Sequence, residues 1–254
     1  MRISLVAALA FLTAWSGSPA GAAEITLIAP GGIRAVIEQL IPDFEAKTGH
    51  TVKATFGSGK GTHAQVARGD AFDVPVVQPP YDDVIASGHV VTSSATPLAT
   101  VSVGIAVRAG APKPDISSDD AVRRVLLAAN SLAYPNPALG AAAGVSFEAT
   151  LQKLGIAEAM KPKLRLAARG AGAMAMLAKG ETELGVTFVS EIVTEPGVEA
   201  VGPLPRDVSP PTGLVAFVSA QAKDPDAAKA LVSFLSSPEA APVYRTHGME
   251  PGGP

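Results

Sequence analysis

Apolar residues in this chain gather in short β-rich runs, separated by longer stretches in which they recur every three or four positions. The runs are ITLIAP (25–30), TVKATF (51–56), VPVVQ (74–78), VSVGIAV (101–107), SLAYP (131–135), LRLAA (164–168), LGVTFV (184–189) and GLVAFV (213–218). Runs with so little polar alternation predict strands covered on both faces. Between the first two, Ile33, Val36, Ile37, Leu40, Ile41 and Phe44 form one helical stripe. Pro42 removes a backbone donor and is expected to bend that helix or close it early, and Gly49 suits its end. The alternation implies an α/β fold of mostly parallel sheets with helices on both faces.

In such sheets ligands sit beyond the carboxyl ends of strands, where the following helices point their free N–H groups. Three segments combine a strand end, glycines and a following helix: Ala29-Pro30-Gly31-Gly32, Gly57-Ser58-Gly59-Lys60-Gly61, and Leu139 to Gly144, which includes Ala143. A fourth, Arg169-Gly170-Ala171-Gly172, adds a guanidinium. Together these could surround one small, negatively charged molecule. Each also has a plainer reading. Gly31 and Gly32 could be simple turn glycines, Lys60 and Arg169 solvated charges, His63 a surface residue, and Ala141 to Gly144 close helix-to-sheet packing. Met174 and Met176 read as core filler.

GSGKGT (57–62) is not a Walker A loop. That pattern requires glycine at 54 and a hydroxyl at 61, where the chain has Ala54 and Gly61. A GSGKGT-like loop does serve nucleoside monophosphate kinases, but an exported protein meets no ATP pool, and the chain opens with an export signal. Arg2 precedes an apolar run from Ile3 to about Trp15 and then Ala20-Gly21-Ala22, the three parts of a signal peptide over residues 1–22. The run is shorter than the roughly 20 residues a membrane span needs. Losing Arg2 with the leader takes the formal charge from -3 to -4, so nothing attracts nucleic acid. There is no cysteine, and His50, His63, His89 and His247 show no ligand spacing, so no metal and no cofactor are expected. No G-x-S-x-G elbow appears, and spacing alone gives Glu24, Asp73 or Glu191 no claim to acid–base work. Asp115 to Arg124 and Asp224 to Lys229 read as solvated helix faces; Pro203, Pro205 and Pro210-Pro211 read as a stiff crossover.

Over almost the whole mature length the chain resembles the molybdate-binding-like periplasmic solute-binding proteins of ABC importers. The resemblance rests on ITLIAPGGIRAVIEQLIPDFEAKTG, TFGSGKGTHAQVARGDAFDV, LQKLGI, ELGVTFVSEIV and VSFLSSPEAAPVYRTHGMEP, in that order and spacing. It implies a type II periplasmic binding fold: lobe one from residues 23–103 and 211–254, lobe two from 104–210, and a ligand in the cleft between. It also implies a monomer in the periplasm serving an ABC permease. In that family serine hydroxyls and helix-start amides hold an oxyanion. Here Gly32 replaces a serine, Phe188 replaces a tyrosine, Ser58 is the remaining hydroxyl of its cluster, and Lys60 and Arg169 add charge. Fewer hydroxyls and more fixed positive charge suit a carboxylate.

The Gly-Gly, Gly-Lys and arginine departures further resemble a sub-branch that includes aconitate isomerase. That resemblance implies Lys60 or His63 as proton carrier and Arg169 as carboxylate clamp. The expected ligand contacts are Gly31, Gly32, Ser58, Gly59, Lys60, Ala143, Gly144, Arg169, Gly170 and Phe188.

Overall fold

The computed structural model describes residues 21–252, so the leader expected over residues 1–22 lies outside the described residues except for its last two positions. The chain begins with β1 (Glu24–Pro30), a tight turn at Gly31–Ile33, α1 (Arg34–Thr48), β2 (Thr51–Gly57), α2 (Gly59–Arg68), β3 (Val74–Val77) and α3 (Asp82–Ala86). β4 (Thr96–Val101) and β5 (Val103–Arg108) follow, then α4 (Asp119–Ala128), β6 (Leu132–Pro135), α5 (Ala142–Lys153) and α6 (Ala157–Met160). β7 (Leu164–Ala167), α7 (Gly170–Ala178), β8 (Leu184–Phe188), α8 (Val189–Ile192) and β9 (Val198–Pro203) come next. β10 (Thr212–Ala216), α9 (Pro225–Leu235), α10 (Ala241–Thr246) and β11 (Met249–Pro251) complete the described chain.

These strands form two sheets, ordered β11-β4-β10-β3-β1-β2 and β7-β6-β8-β5-β9. Both are mixed. β1 pairs parallel with β2 and β3, and β6 with β7 and β8, whereas β4, β5, β9, β10 and β11 run antiparallel to their neighbours. The parallel pairs are those joined through helices, which a parallel connection requires. The chain changes sheet twice, at Ser102 and between Pro203 and Thr212. The run 101–107, read from sequence as one strand, is therefore split at Ser102 between the end of β4 and β5. The prolines at 203, 205, 210 and 211 accompany the second change.

Successive strand residues point to opposite faces, so a strand covered on both sides feeds two cores. In β1, Leu27 and Ala29 join the large core with Ile33, Val36, Ile37, Leu40 and Phe44, while Ile28 packs with Val66, Val84 and Phe217 on the opposite face. β6 repeats the division: Leu132 and Tyr134 meet Phe147 and Leu151 of α5, and Ala133 meets Met174 and Leu177 of α7. β2 alternates exposed and half-buried residues because it ends its sheet. Pro42 does not end α1, which runs on to Thr48 and closes at Gly49, φ 74°, with its N–H donating to the Glu45 carbonyl. The proline sits on the exposed side of the helix, where water can satisfy the carbonyl it leaves free. No described helix is long and apolar enough to cross a membrane.

Candidate functional site

The beginnings of α2, α5 and α7 and the Gly31–Ile33 turn before α1 converge on one cavity between the two sheets. It holds about 440 Å³ of non-atom space, counted out to its solvent mouth. Pro30, Gly31, Gly32, Gly57, Ser58, Gly59, Gln78, Pro135, Ala141, Ala142, Ala143, Ala168, Arg169, Gly170, Phe188 and Glu191 form its wall. The first N–H groups of a helix lack intrahelical acceptors and carry the positive end of its dipole, so these starts favour negative charge in the cavity, although at α2 the Lys60 and Gly61 amides already donate to the Gly140 carbonyl and Ser58 Oγ.

Eight of the residues expected from sequence share this wall: Gly31, Gly32, Ser58, Gly59, Ala143, Arg169, Gly170 and Phe188. Ser58 caps α2, its Oγ accepting from the Gly61 N–H at 3.1 Å. A hydroxyl oxygen used in this way still keeps its proton to donate to an anion. Arg169 is the residue before α7, is exposed toward the cavity, and forms no ion pair among the described residues. Gly32 lets the buried Phe188 ring approach, since a Cβ at position 32 would stand 3.0 Å from the ring's Cδ2.

Two expected contacts lie elsewhere. Gly144 is buried against the Pro135 carbonyl, which a Cβ would strike, and it does not reach the cavity wall. Lys60 lines a neighbouring groove with His63, Pro79, Asp83 and Gly140; groove and cavity share Gly59, Gln78 and Ala142. His63 Nε2 is 2.6 Å from Asp83 Oδ1. Among the described residues no group of three histidine or acidic side chains is placed to hold a metal.

Two polar wall residues were not among the expected contacts, and for one of them, Glu191, spacing alone had given no claim to acid–base work. Gln78 follows β3, is only 7% exposed, and neither Oε1 nor Nε2 has a hydrogen-bond partner. A Cβ at position 59 would meet Oε1, so a larger residue there would displace this amide. A buried amide without a partner is costly, and an incoming ligand can satisfy it. Glu191 lies at the start of α8, facing the cavity between Gly31 and Gly170. Its Oε2 accepts from the Thr187 hydroxyl at 2.5 Å. Burial pushes this carboxyl above its usual range, opposed by the bonds from Thr187 and the Phe188 backbone.

A family model described as bacterial extracellular solute-binding protein matches residues 25–250. The chain belongs to that family. This solute-binding protein is 32% identical over 235 residues to aconitate isomerase of Pseudomonas sp, across 89% of this chain and 87% of the relative. It is 30% identical over 237 residues to the molybdate-binding protein ModA of Azotobacter vinelandii, across 90% of each. Among solved structures, the Azotobacter vinelandii periplasmic molybdate-binding protein superposes with a TM-score of 0.74 at 20% identity, over 89% of this chain and 98% of that one. That likeness places the two mixed sheets in the type II periplasmic binding fold.

Proposed function

We propose that this solute-binding protein works in the periplasm, where it captures a small organic polycarboxylate and delivers it to an ABC permease. The two sheets with their helices act as two lobes, residues 23–103 with 211–254 and residues 104–210, closing on the ligand by hinge motion of the connections. Arg169 carries this reading: a guanidinium without an ion-pair partner among the described residues sits beside helix-start amides in a wall where Gly32 and Phe188 supply no hydroxyl. Guanidinium binds carboxylate in bidentate fashion, and Gln78 offers a further amide to a second polar group. A tetrahedral oxyanion finds few hydroxyl donors here, Ser58 supplying the hydroxyl of the cavity wall.

A thermal-shift series with molybdate, tungstate, citrate and the two aconitates tests this, because a ligand that binds only the native state raises the unfolding temperature. The carboxylates should raise it and the metal oxyanions should not. The reverse order would end the polycarboxylate reading.

A second reading is isomerisation of aconitate, supported by the 32% identity to aconitate isomerase and by the ionisable carboxyl of Glu191 in the cavity wall. The two readings part cleanly. Capture predicts saturable binding without product, and isomerisation predicts turnover of trans-aconitate with no permease present.

A further inference from the structure

We propose that Glu191 is the proton carrier of this cavity, removing a proton from one carbon of a bound allylic polycarboxylate and returning it to another. This rests on the isomerase reading and replaces Lys60 and His63 in that role. Of the side chains in the cavity wall, Glu191 and Arg169 are the two that carry ionisable groups. Arginine stays protonated and cannot act as a base. Lys60 and His63 line the groove beyond Gly59 and Gln78, and His63 is engaged with Asp83.

The geometry suits a single base. Thr187 donates to Oε2 at 2.5 Å and fixes the carboxyl, while Oε1 lies toward Gly31, 3.9 Å from where a Cβ on that residue would stand. Glu191 and Arg169 both line this wall, so one molecule in the cavity would lie within reach of a carboxyl and a guanidinium. For trans-aconitate, ionised Glu191 takes a proton from the methylene carbon. The C–H electron pair forms the new double bond, and the old π pair moves to the far carbon, giving an allylic carbanion conjugated with the substrate carboxylates. Arg169 holds one of those carboxylates and steadies the developing charge. The protonated Glu191 then delivers its proton to the far carbon, the double bond has moved by one position, and cis geometry is set if the chain has rotated about its former single bond. One proton leaves and one returns, with no oxidant or reductant. A carboxyl held above its ordinary range by burial is a stronger base once ionised, closer in strength to the carbon acid it must meet.

The test incubates the full chain with trans-aconitate in heavy water and follows cis-aconitate and deuterium in the methylene group by NMR. Wild type should isomerise, with deuterium entering whenever the protonated Glu191 exchanges with solvent before it returns its proton. Glu191→Gln should lose turnover and exchange by roughly 10²–10⁴-fold, the range for a general acid–base group, while trans-aconitate still raises its unfolding temperature. Glu191→Asp, which keeps the carboxyl but withdraws it, should fall between the two. If Glu191→Gln isomerises within about tenfold of wild type, the assignment to Glu191 is overturned and the isomerase reading stands. If wild type binds trans-aconitate with neither product nor exchange, the isomerase reading fails and takes the assignment with it, leaving capture as the function.

Discussion

Ser190 Oγ donates a 2.6 Å hydrogen bond to the Gly32 carbonyl, tying α8, which follows β8 of one sheet, to the turn after β1 of the other. Both residues are buried, and they are 158 positions apart. A second bridge, from the Lys60 N–H to the Gly140 carbonyl at 3.2 Å, joins the sheets on the other side of the cavity. Removing the serine hydroxyl leaves a buried carbonyl unpaired, a loss of about 1–3 kcal/mol. Ser190→Ala should therefore lower the urea midpoint of the ligand-free protein with an unchanged slope. An unchanged midpoint would mean that water reaches this carbonyl and that the bridge contributes nothing to the resting state.

On the capture reading, Arg169 supplies the charge that would distinguish a carboxylate site from an all-amide one. A hydrogen bond to a charged group contributes about 1.5–3 kcal/mol, so Arg169→Ala should weaken citrate or aconitate binding roughly 10- to 150-fold by calorimetry. Arg169→Lys keeps the charge but not the planar fork and should recover only part of that affinity. An alanine variant that binds as tightly as wild type would return the anion to the backbone alone.

Gln78 presents a trade between stability and binding. Its amide is buried with neither polar atom partnered, so replacing it by the similarly shaped methionine should stabilise the ligand-free protein by about 1–2 kcal/mol. The same change should weaken a polycarboxylate, because it deletes the group the ligand satisfies. Denaturant titration and calorimetry on one variant read both effects. A methionine variant that is less stable and binds as before would make Gln78 a packing residue.

Much of this arrangement was legible from the sequence, for physical reasons that also mark its limits. Apolar runs such as those of β3 and β8 announce burial on both faces, and glycines at strand ends announce helix starts that approach closely, as at Gly31, Gly59 and Gly170. Ser102 could not be read as a break, because nothing in its residue type signals that the chain leaves one sheet for another. Ala143 reaches the wall and Gly144 does not, since one residue along a helix is about 100° of rotation, and composition does not fix which neighbour faces inward. Gln78 and Glu191 sit in apolar surroundings assembled from distant segments. Their chemistry comes from desolvation, which no spacing rule along the chain records.

Asp73 should contribute an acid dependence to the stability of the first sheet. It is 3% exposed. Its Oδ2 accepts from the Thr26 N–H at 2.8 Å and the Thr26 hydroxyl at 2.7 Å, and its Oδ1 accepts from the Lys223 N–H at 2.8 Å. Burial pushes the carboxyl up, but the bonds from Thr26 and Lys223, together with the Lys223 charge, outweigh it and hold the group below its ordinary value of 3.8. An acid depressed in the folded state stabilises fully above its unfolded pKa, and that contribution disappears as pH falls through the lower folded value. Stability should therefore be insensitive to Asp73 near neutrality and drop below about pH 4. Asp73→Asn replaces charged acceptors with an amide and should cost roughly 2–3 kcal/mol near pH 7, while flattening the acid limb of the urea midpoint measured from pH 5 to pH 2.5. A variant that keeps the full acid slope would assign that limb to other carboxylates and leave Asp73 a neutral structural acceptor.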